Sequence, residues 1–220
     1  MAPFEIKNTF AVIGVGLIGP RHCRTVIKSS DAHLIAIVDL APRGAELAKE
    51  LGTNYYKTVQ DLITSPHKPD AAITCTPNHT HVAIVKELIE EGIHVLVEKP
   101  FSTDIQSGKN LLAVIKATDV KTLVGHHRRF NLYMVATKIE VSLDSLGNIV
   151  AVNGLWTTQK PMDYFDPPAE WRRTETGGVV MANLIFTKLT CYTNFLDPSC
   201  GCMLKRPFLS VASMLKRELP

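Results

Sequence analysis

The 220-residue sequence has no apolar run approaching the roughly 18 residues that a membrane-spanning helix needs, so no membrane is expected as a partner. Its first ten residues, MAPFEIKNTF, contain acidic Glu5 and no long apolar stretch, which excludes a secretory signal from the expectations. Five cysteines (Cys23, Cys75, Cys191, Cys200 and Cys202) form neither a paired metal-ligand spacing nor a disulfide framework. Reduced thiols, a cytoplasmic location and no bound metal are expected. There is no internal repeat, no low-complexity segment and no block of like charge. The net charge of +3 arises entirely from residue 186 onward, where five basic side chains face two acidic ones. These charges are scattered rather than blocked, so nucleic acid is not an expected partner.

What is present is a regular alternation. Between residues 9 and 125, the runs TFAVIGV, HLIAIVDL, DAAITCTP, IHVLVEKP and KTLVGHH are short, β-branched and apolar on both faces, as buried parallel strands are. Helical patterns separate them: LIGPRHCRTVIKSS, APRGAELAKELG, THVAIVKELIEEG and TDIQSGKNLLAVIKATD. The third puts Val82, Val85, Leu88 and Ile89 on one stripe and ends at Gly92. The fourth follows Ser102 and Thr103, both good N-cap types. Strands and helices in this order predict βαβ units and an α/β fold with a doubly wound parallel sheet. With the short run TNYYKT the sheet has six strands.

Past Asn131 the rhythm changes. NLYMVATKIEVSL predicts one more helix with its stop at Gly147, and GNIVAVNGLWTTQ alternates as a half-buried antiparallel strand does. KPMDYFDPPAEWRR reads as a loop by its prolines. A second domain therefore begins near residue 130.

GVGLIG sets Gly14, Gly16 and Gly19 in G-x-G-x-x-G spacing, after a strand and opening a helix. That context predicts a dinucleotide site: Gly14 for the tight turn, Gly16 for close approach of pyrophosphate, Gly19 for helix–strand packing. The free N–H groups of the helix start then face the phosphates. Asp39 stands at the end of the second strand, where a carboxylate accepts from ribose hydroxyls and repels a 2′-phosphate. NAD is thus favoured over NADP, with Arg43 one turn on able to reverse part of that preference. The alternative is a plain glycine turn and a helix-capping Asp. CTPNHTH and EKP follow the fourth and fifth strands, so Pro77 and Asn78 would wall the nicotinamide pocket. Lys99, beside Glu98 and fixed by Pro100, is placed to exchange a proton with a substrate hydroxyl. Its alternative is an ordinary surface Glu–Lys pair; His79 and His81, at a helix start, are more often capping or surface residues than ligands.

AVIGVGLIGPRH, CTPNHTH, VEKPFS and VGHHRRFN occur here in the order and spacing of the family of glucose–fructose oxidoreductase, inositol dehydrogenase and MocA. The chain resembles that family from about residue 8 to residue 185. The resemblance implies a Rossmann domain over residues 1–128 and an incomplete α+β substrate domain over 129–185. It implies an NAD(P)-dependent oxidoreductase acting on a hydroxyl-bearing carbon of a sugar, cyclitol or related compound. Lys99 would be the catalytic lysine. The expected cofactor-binding residues are Gly14, Gly16, Leu17, Ile18, Gly19, Asp39, Arg43, Thr76, Pro77, Asn78, His81, Glu98 and Lys99. His126, His127, Arg128 and Arg129 would lie near the cleft; His127, Arg128 and Asn183 are the expected substrate contacts, although GHHRRFN equally begins a domain linker. Full-length family members are expected to form homo-oligomers, and this chain is not.

After Gly177 and Gly178 the family places a helix with a catalytic His and, three residues later, an Asp. Phe186 and Leu189 stand at those positions, and neither side chain performs acid–base work. Read one base out of register, codons for Phe186 and Thr187 yield His, and those that follow permit Glu-Ile-Asp-Leu-Leu. Residues 186–220 are therefore expected to be out-of-frame or mis-spliced, ending at a premature stop, without family resemblance. The corresponding alternative function is a dinucleotide-binding module with impaired catalysis.

Overall fold

The computed structural model describes residues 8–143, 145–147, 161–167 and 170–173. These divide into two compact units at the bond between His126 and His127, with residues 161–173 belonging to the first.

In the first unit, six strands alternate with five helices: β1 (Asn8–Ile13), α1 (Gly19–Lys28), β2 (Ala32–Val38), α2 (Pro42–Leu51), β3 (Asn54–Tyr56), α3 (Val59–Ile63), β4 (Ala71–Thr74), α4 (His81–Glu90), β5 (His94–Glu98), α5 (Ile105–Lys116) and β6 (Thr122–Gly125). The strands form one sheet in the order β3-β2-β1-β4-β5-β6, and every pairing is parallel. The order reverses at β1, which pairs with β2 on one side and β4 on the other. At such a switch point the loops leaving the two strands diverge to opposite faces and leave a crevice at the carboxyl edge.

Alternate residues of each strand bury against different layers. Ala11, Ile13, Val38, Val95 and Val97 pack with Leu62 of α3, Val85, Leu88 and Ile89 of α4, and Leu111 of α5. Val12, Leu34, Ile37 and Ile73 pack with Cys23 and Val26 of α1 and Leu47 and Ala48 of α2. Both faces are thereby covered, which is why the strands are apolar throughout.

The helix stripe expected over Val82, Val85, Leu88 and Ile89 lies toward the core, with Val85 and Leu88 fully buried. Gly92 adopts φ +73° just past its end, and the N–H of Ile93 returns to the Leu88 carbonyl. Two local details differ from the sequence expectation. α5 is capped by Asp104, whose carboxylate accepts from the Ser107 N–H at 2.7 Å, rather than by Ser102 or Thr103. A carboxylate accepts more strongly than a hydroxyl, and Ser102 is left to close the preceding turn by accepting from the Asp104 N–H. The five-residue α3 has too short an apolar pattern to be expected; Thr58 and Asp61 start it with a reciprocal capping box.

The second unit opens with a 3₁₀ turn over His127–Phe130 and continues into α6 (Leu132–Ser142), capped by Asn131 accepting from the Tyr133 N–H. α6 ends before Gly147, where the sequence had suggested its stop. The expected strand GNIVAVNGLWTTQ and residues 186–220, expected to be out of frame, lie outside the described residues.

Candidate functional site

The turn after β1 is closed from two sides. The Gly14 N–H donates to the Val38 carbonyl at 2.7 Å, and the Cys75 N–H donates to the Ile13 carbonyl at 2.7 Å. Gly14 adopts φ +86°, a region costly for residues with a Cβ. A Cβ there would also lie 2.9 Å from the Cys75 carbonyl carbon and from Thr76. A Cβ on Gly19 would run into the Gly14 carbonyl oxygen, so this glycine lets α1 press against the turn. Gly16 differs: a Cβ would meet nothing nearer than Arg43 Nη2 at 3.9 Å. Packing does not require that glycine, and its backbone stays open to close approach. Leu17 is exposed, and Ile18 begins α1 without any side-chain capping bond. Pro20 has no N–H, and those of Arg21 and His22 already donate to the Ile18 carbonyl at 3.0 and 3.2 Å, so the helix start keeps the Gly19 N–H as its first-turn donor.

Asp39 follows β2 and is buried. Its Oδ2 accepts from the Val15 N–H at 2.7 Å and its Oδ1 from the Ala41 N–H at 2.8 Å. Arg43 Nε lies 3.7 Å from Oδ2. The Asp39 backbone is held in turn by Tyr55, whose hydroxyl donates to its carbonyl at 2.8 Å. One carboxylate thus ties the glycine turn to the start of α2.

Beyond β4 and β5 the loops are joined by a buried imidazole. His81, at the start of α4, sets Nε2 2.9 Å from the Thr76 carbonyl and Nδ1 2.8 Å from the Pro100 carbonyl. Burial pushes its pKa down, and the two carbonyls pull partly back. A neutral ring donates to only one of them. Thr80 closes the same loop, its hydroxyl 2.7 Å from Thr76 Oγ1 and 2.8 Å from the Pro77 carbonyl. Asn78 is buried in this loop, and the Lys99–Pro100 peptide is cis.

Glu98 ends β5 and is also buried. Its Oε1 accepts from His22 Nε2 at 2.9 Å and its Oε2 from the Lys99 N–H at 3.3 Å. Burial alone would raise its pKa; the His22 hydrogen bond and charge, with the Lys99 charge, outweigh that and lower it. Gly125 faces this carboxylate so closely that a Cβ would sit 3.2 Å from its Cδ. Burial pushes the neighbouring Cys23 thiol up to about 11 and that of Cys75 higher still, which favours the protonated form of both.

The carboxyl edge of one sheet thus carries Gly14–Gly19, Asp39, Thr76–Asn78 and Glu98–Lys99. His126 ends the first stretch of this unit, while His127, Arg128 and Arg129 belong to the second unit; Asn183 lies outside the described residues. The sequence reading passed over His22. A histidine one turn past Gly19, beside buried Cys23 and Val26, was the available signal, but its carboxylate partner is 76 residues away. Among the described residues, no helix is long and apolar enough to cross a membrane.

Residues 8–126 match the model of a family described as an oxidoreductase family with an NAD-binding Rossmann fold. The chain is similar to an inositol 2-dehydrogenase of Rhizobium meliloti, 29% identical over 157 residues, covering 70% of this chain and 47% of that protein. It is also similar to the scyllo-inositol 2-dehydrogenase (NAD(+)) of Bacillus subtilis, 28% identical over 171 residues, covering 77% and 48%. Among solved structures, a scyllo-inositol dehydrogenase from Lactobacillus casei with bound NAD(H) and scyllo-inositol superposes with a TM-score of 0.63 at 25% identity, covering 65% of this chain and 43% of that one. The chain spans about half the length of the curated relatives it matches.

Proposed function

Since the chain belongs to this oxidoreductase family with its NAD-binding Rossmann fold, we propose that it binds NAD(H) at the carboxyl edge of its sheet and serves hydride transfer at a hydroxyl-bearing carbon of a polyol or sugar-like compound. The observation that carries the reading is the convergence of the glycine turn, Asp39 and Glu98–Lys99 on one edge, beside the switch between β1 and β4.

The residues fit the dinucleotide. Gly16 leaves its backbone approachable, and the Gly19 N–H at the start of α1 faces the pyrophosphate. Each Asp39 oxygen accepts one backbone N–H and keeps capacity for a second donor, as ribose hydroxyls would supply. A fixed carboxylate repels a 2′-phosphate. Arg43, already paired with Asp39, does little to reverse that, so NAD is favoured over NADP. Thr76, Pro77 and Asn78 wall the nicotinamide end, their loop held by His81. The bound nicotinamide supplies hydride acceptor and donor chemistry. Lys99 Nζ exchanges a proton with the substrate hydroxyl oxygen, and Glu98 fixes the lysine's backbone. Residues 1–128 form the dinucleotide domain in this reading, and residues 129–185 begin the substrate domain, with His127, Arg128 and Asn183 contacting substrate.

The dehydrogenases among the relatives favour this reading over that of a module that only holds dinucleotide. Reduced Cys23 and Cys75 suit the cytoplasm. Turnover of NAD+ against a panel of polyols and sugars is the test. A rate that Lys99→Met lowers by roughly 10²-fold or more supports the proposal. A rate indifferent to that change contradicts it.

A further inference from the structure

Glu98 is a buried carboxylate at the carboxyl end of a central strand, a position that would be costly without partners. One of its oxygens is held by a side chain of α1, the helix that starts at the glycine turn. The other is held by the backbone of the residue that follows it. The donor on α1 is His22 Nε2, since a carboxylate only accepts. Gly125 of β6 closes the third side at near-contact distance, so the carboxylate has little room to swing. The titratable groups facing it are His22 from α1, Cys75 beyond β4, His81 from α4 and Lys99 beside it.

We infer that His22 is a positioning residue for Lys99: its imidazole anchors the Glu98 carboxylate, and that carboxylate holds the Lys99 backbone. The inference rests on the role given to Lys99 above. Its consequence is a direct link between the helix expected to face the pyrophosphate and the lysine expected to face the substrate. Removing the His22 donor leaves burial as the main influence on Glu98, so the carboxylate takes up a proton at higher pH and releases the Lys99 N–H as it does.

The full chain, labelled with ¹⁵N, reports this through the Lys99 backbone amide shift followed against pH. In the unmutated protein the amide senses the ionisation of Glu98 below the ordinary carboxylate value of 4.5. In His22→Leu that midpoint moves up by about 1 or more in pH. His22→Gln, which restores a neutral N–H donor, brings it back toward the unmutated position. A purely packing role for His22 moves the two variants alike. An unmoved midpoint in His22→Leu, or a His22→Gln midpoint shifted as far as that of His22→Leu, overturns the inference. The turnover rate of Lys99→Met with NAD+ and a polyol tests the underlying reading separately. A rate lowered by roughly 10²-fold or more upholds it. An unchanged rate removes the proton-exchange role of Lys99, while the amide titration still decides whether His22 holds Glu98.

Discussion

Replacing Asp39 by alanine removes two acceptors at once, and both serve backbone donors. The Val15 N–H loses a partner at 2.7 Å and the Ala41 N–H one at 2.8 Å. Val15 is buried, so its amide is left without a partner and without ready access to water. Hydrogen bonds to charged groups contribute about 1.5–3 kcal/mol each. Ala41 is partly exposed and recovers some of its loss from water, so the combined cost is about 2–4 kcal/mol. For a chain of this length that is a fall in Tm of roughly 5–15 °C. Asp39→Asn is the informative control. It keeps one acceptor but turns an NH₂ toward the other N–H, so it falls short of restoring stability even though its shape is unchanged. Both variants also bind NAD(H) more weakly and narrow its advantage over NADP(H). Thermal and urea unfolding, followed with and without NADH, measure both effects. Asp39→Ala within about 0.5 kcal/mol of the unmutated protein would refute the structural part of the reasoning.

Gly44→Ala sets two effects against each other on α2. Alanine is the better helix former by about 1 kcal/mol, but its Cβ would lie 2.6 Å from the Asp39 Cβ and 3.0 Å from Tyr55 Cε2. Overpacking at about 1–3 kcal/mol wins, so unfolding experiments show a net loss; a more stable variant contradicts the packing. Thr74→Val removes a fully buried hydroxyl that has no hydrogen-bond partner among the described residues. Urea unfolding is expected to show a gain of about 1 kcal/mol, and a loss would mean the hydroxyl has a use. Acid weakens the fold in two stages. His81 is held below its ordinary value of 6.5 chiefly by burial, so the unfolded chain takes up that proton first and stability declines as pH falls below about 6.5. Glu98, depressed below 4.5 against its burial by His22 and Lys99, adds a second decline below that value. Both contributions are complete above the unfolded values and lost downward. Stability flat from pH 7 to 4 would contradict the assignment.

The parallel sheet was legible because five of its six strands are apolar on both faces and the connections are helix-length. Those features leave few alternatives to βαβ units. The position of Asp39 was legible for a similar reason, since the end of the second strand is set by where the apolar run HLIAIV stops. Its hydrogen bonds were not legible. The sequence places a carboxylate at the end of β2 but does not say that both oxygens already hold backbone amides. The bond between His22 and Glu98 was invisible for a physical reason: it joins α1 to β5 across the sheet edge, and no local periodicity encodes a contact over 76 residues. α3 went unnoticed because five residues carry too little period, and its stability rests on the Thr58–Asp61 capping box. At α5 the sequence offered Ser102 and Thr103 as caps, and the adjacent carboxylate of Asp104, the stronger acceptor, took the Ser107 N–H instead.

In the proposed function, Asp39 and the glycine turn hold an unphosphorylated adenosine ribose at the edge of the sheet. Calorimetric titration of the full chain with NADH and, separately, with NADPH addresses that claim most directly. The expected result is one NADH per chain, bound at least about tenfold more tightly than NADPH, a difference of about 1.4 kcal/mol. Equal or tighter binding of NADPH, or no binding of either, would contradict it.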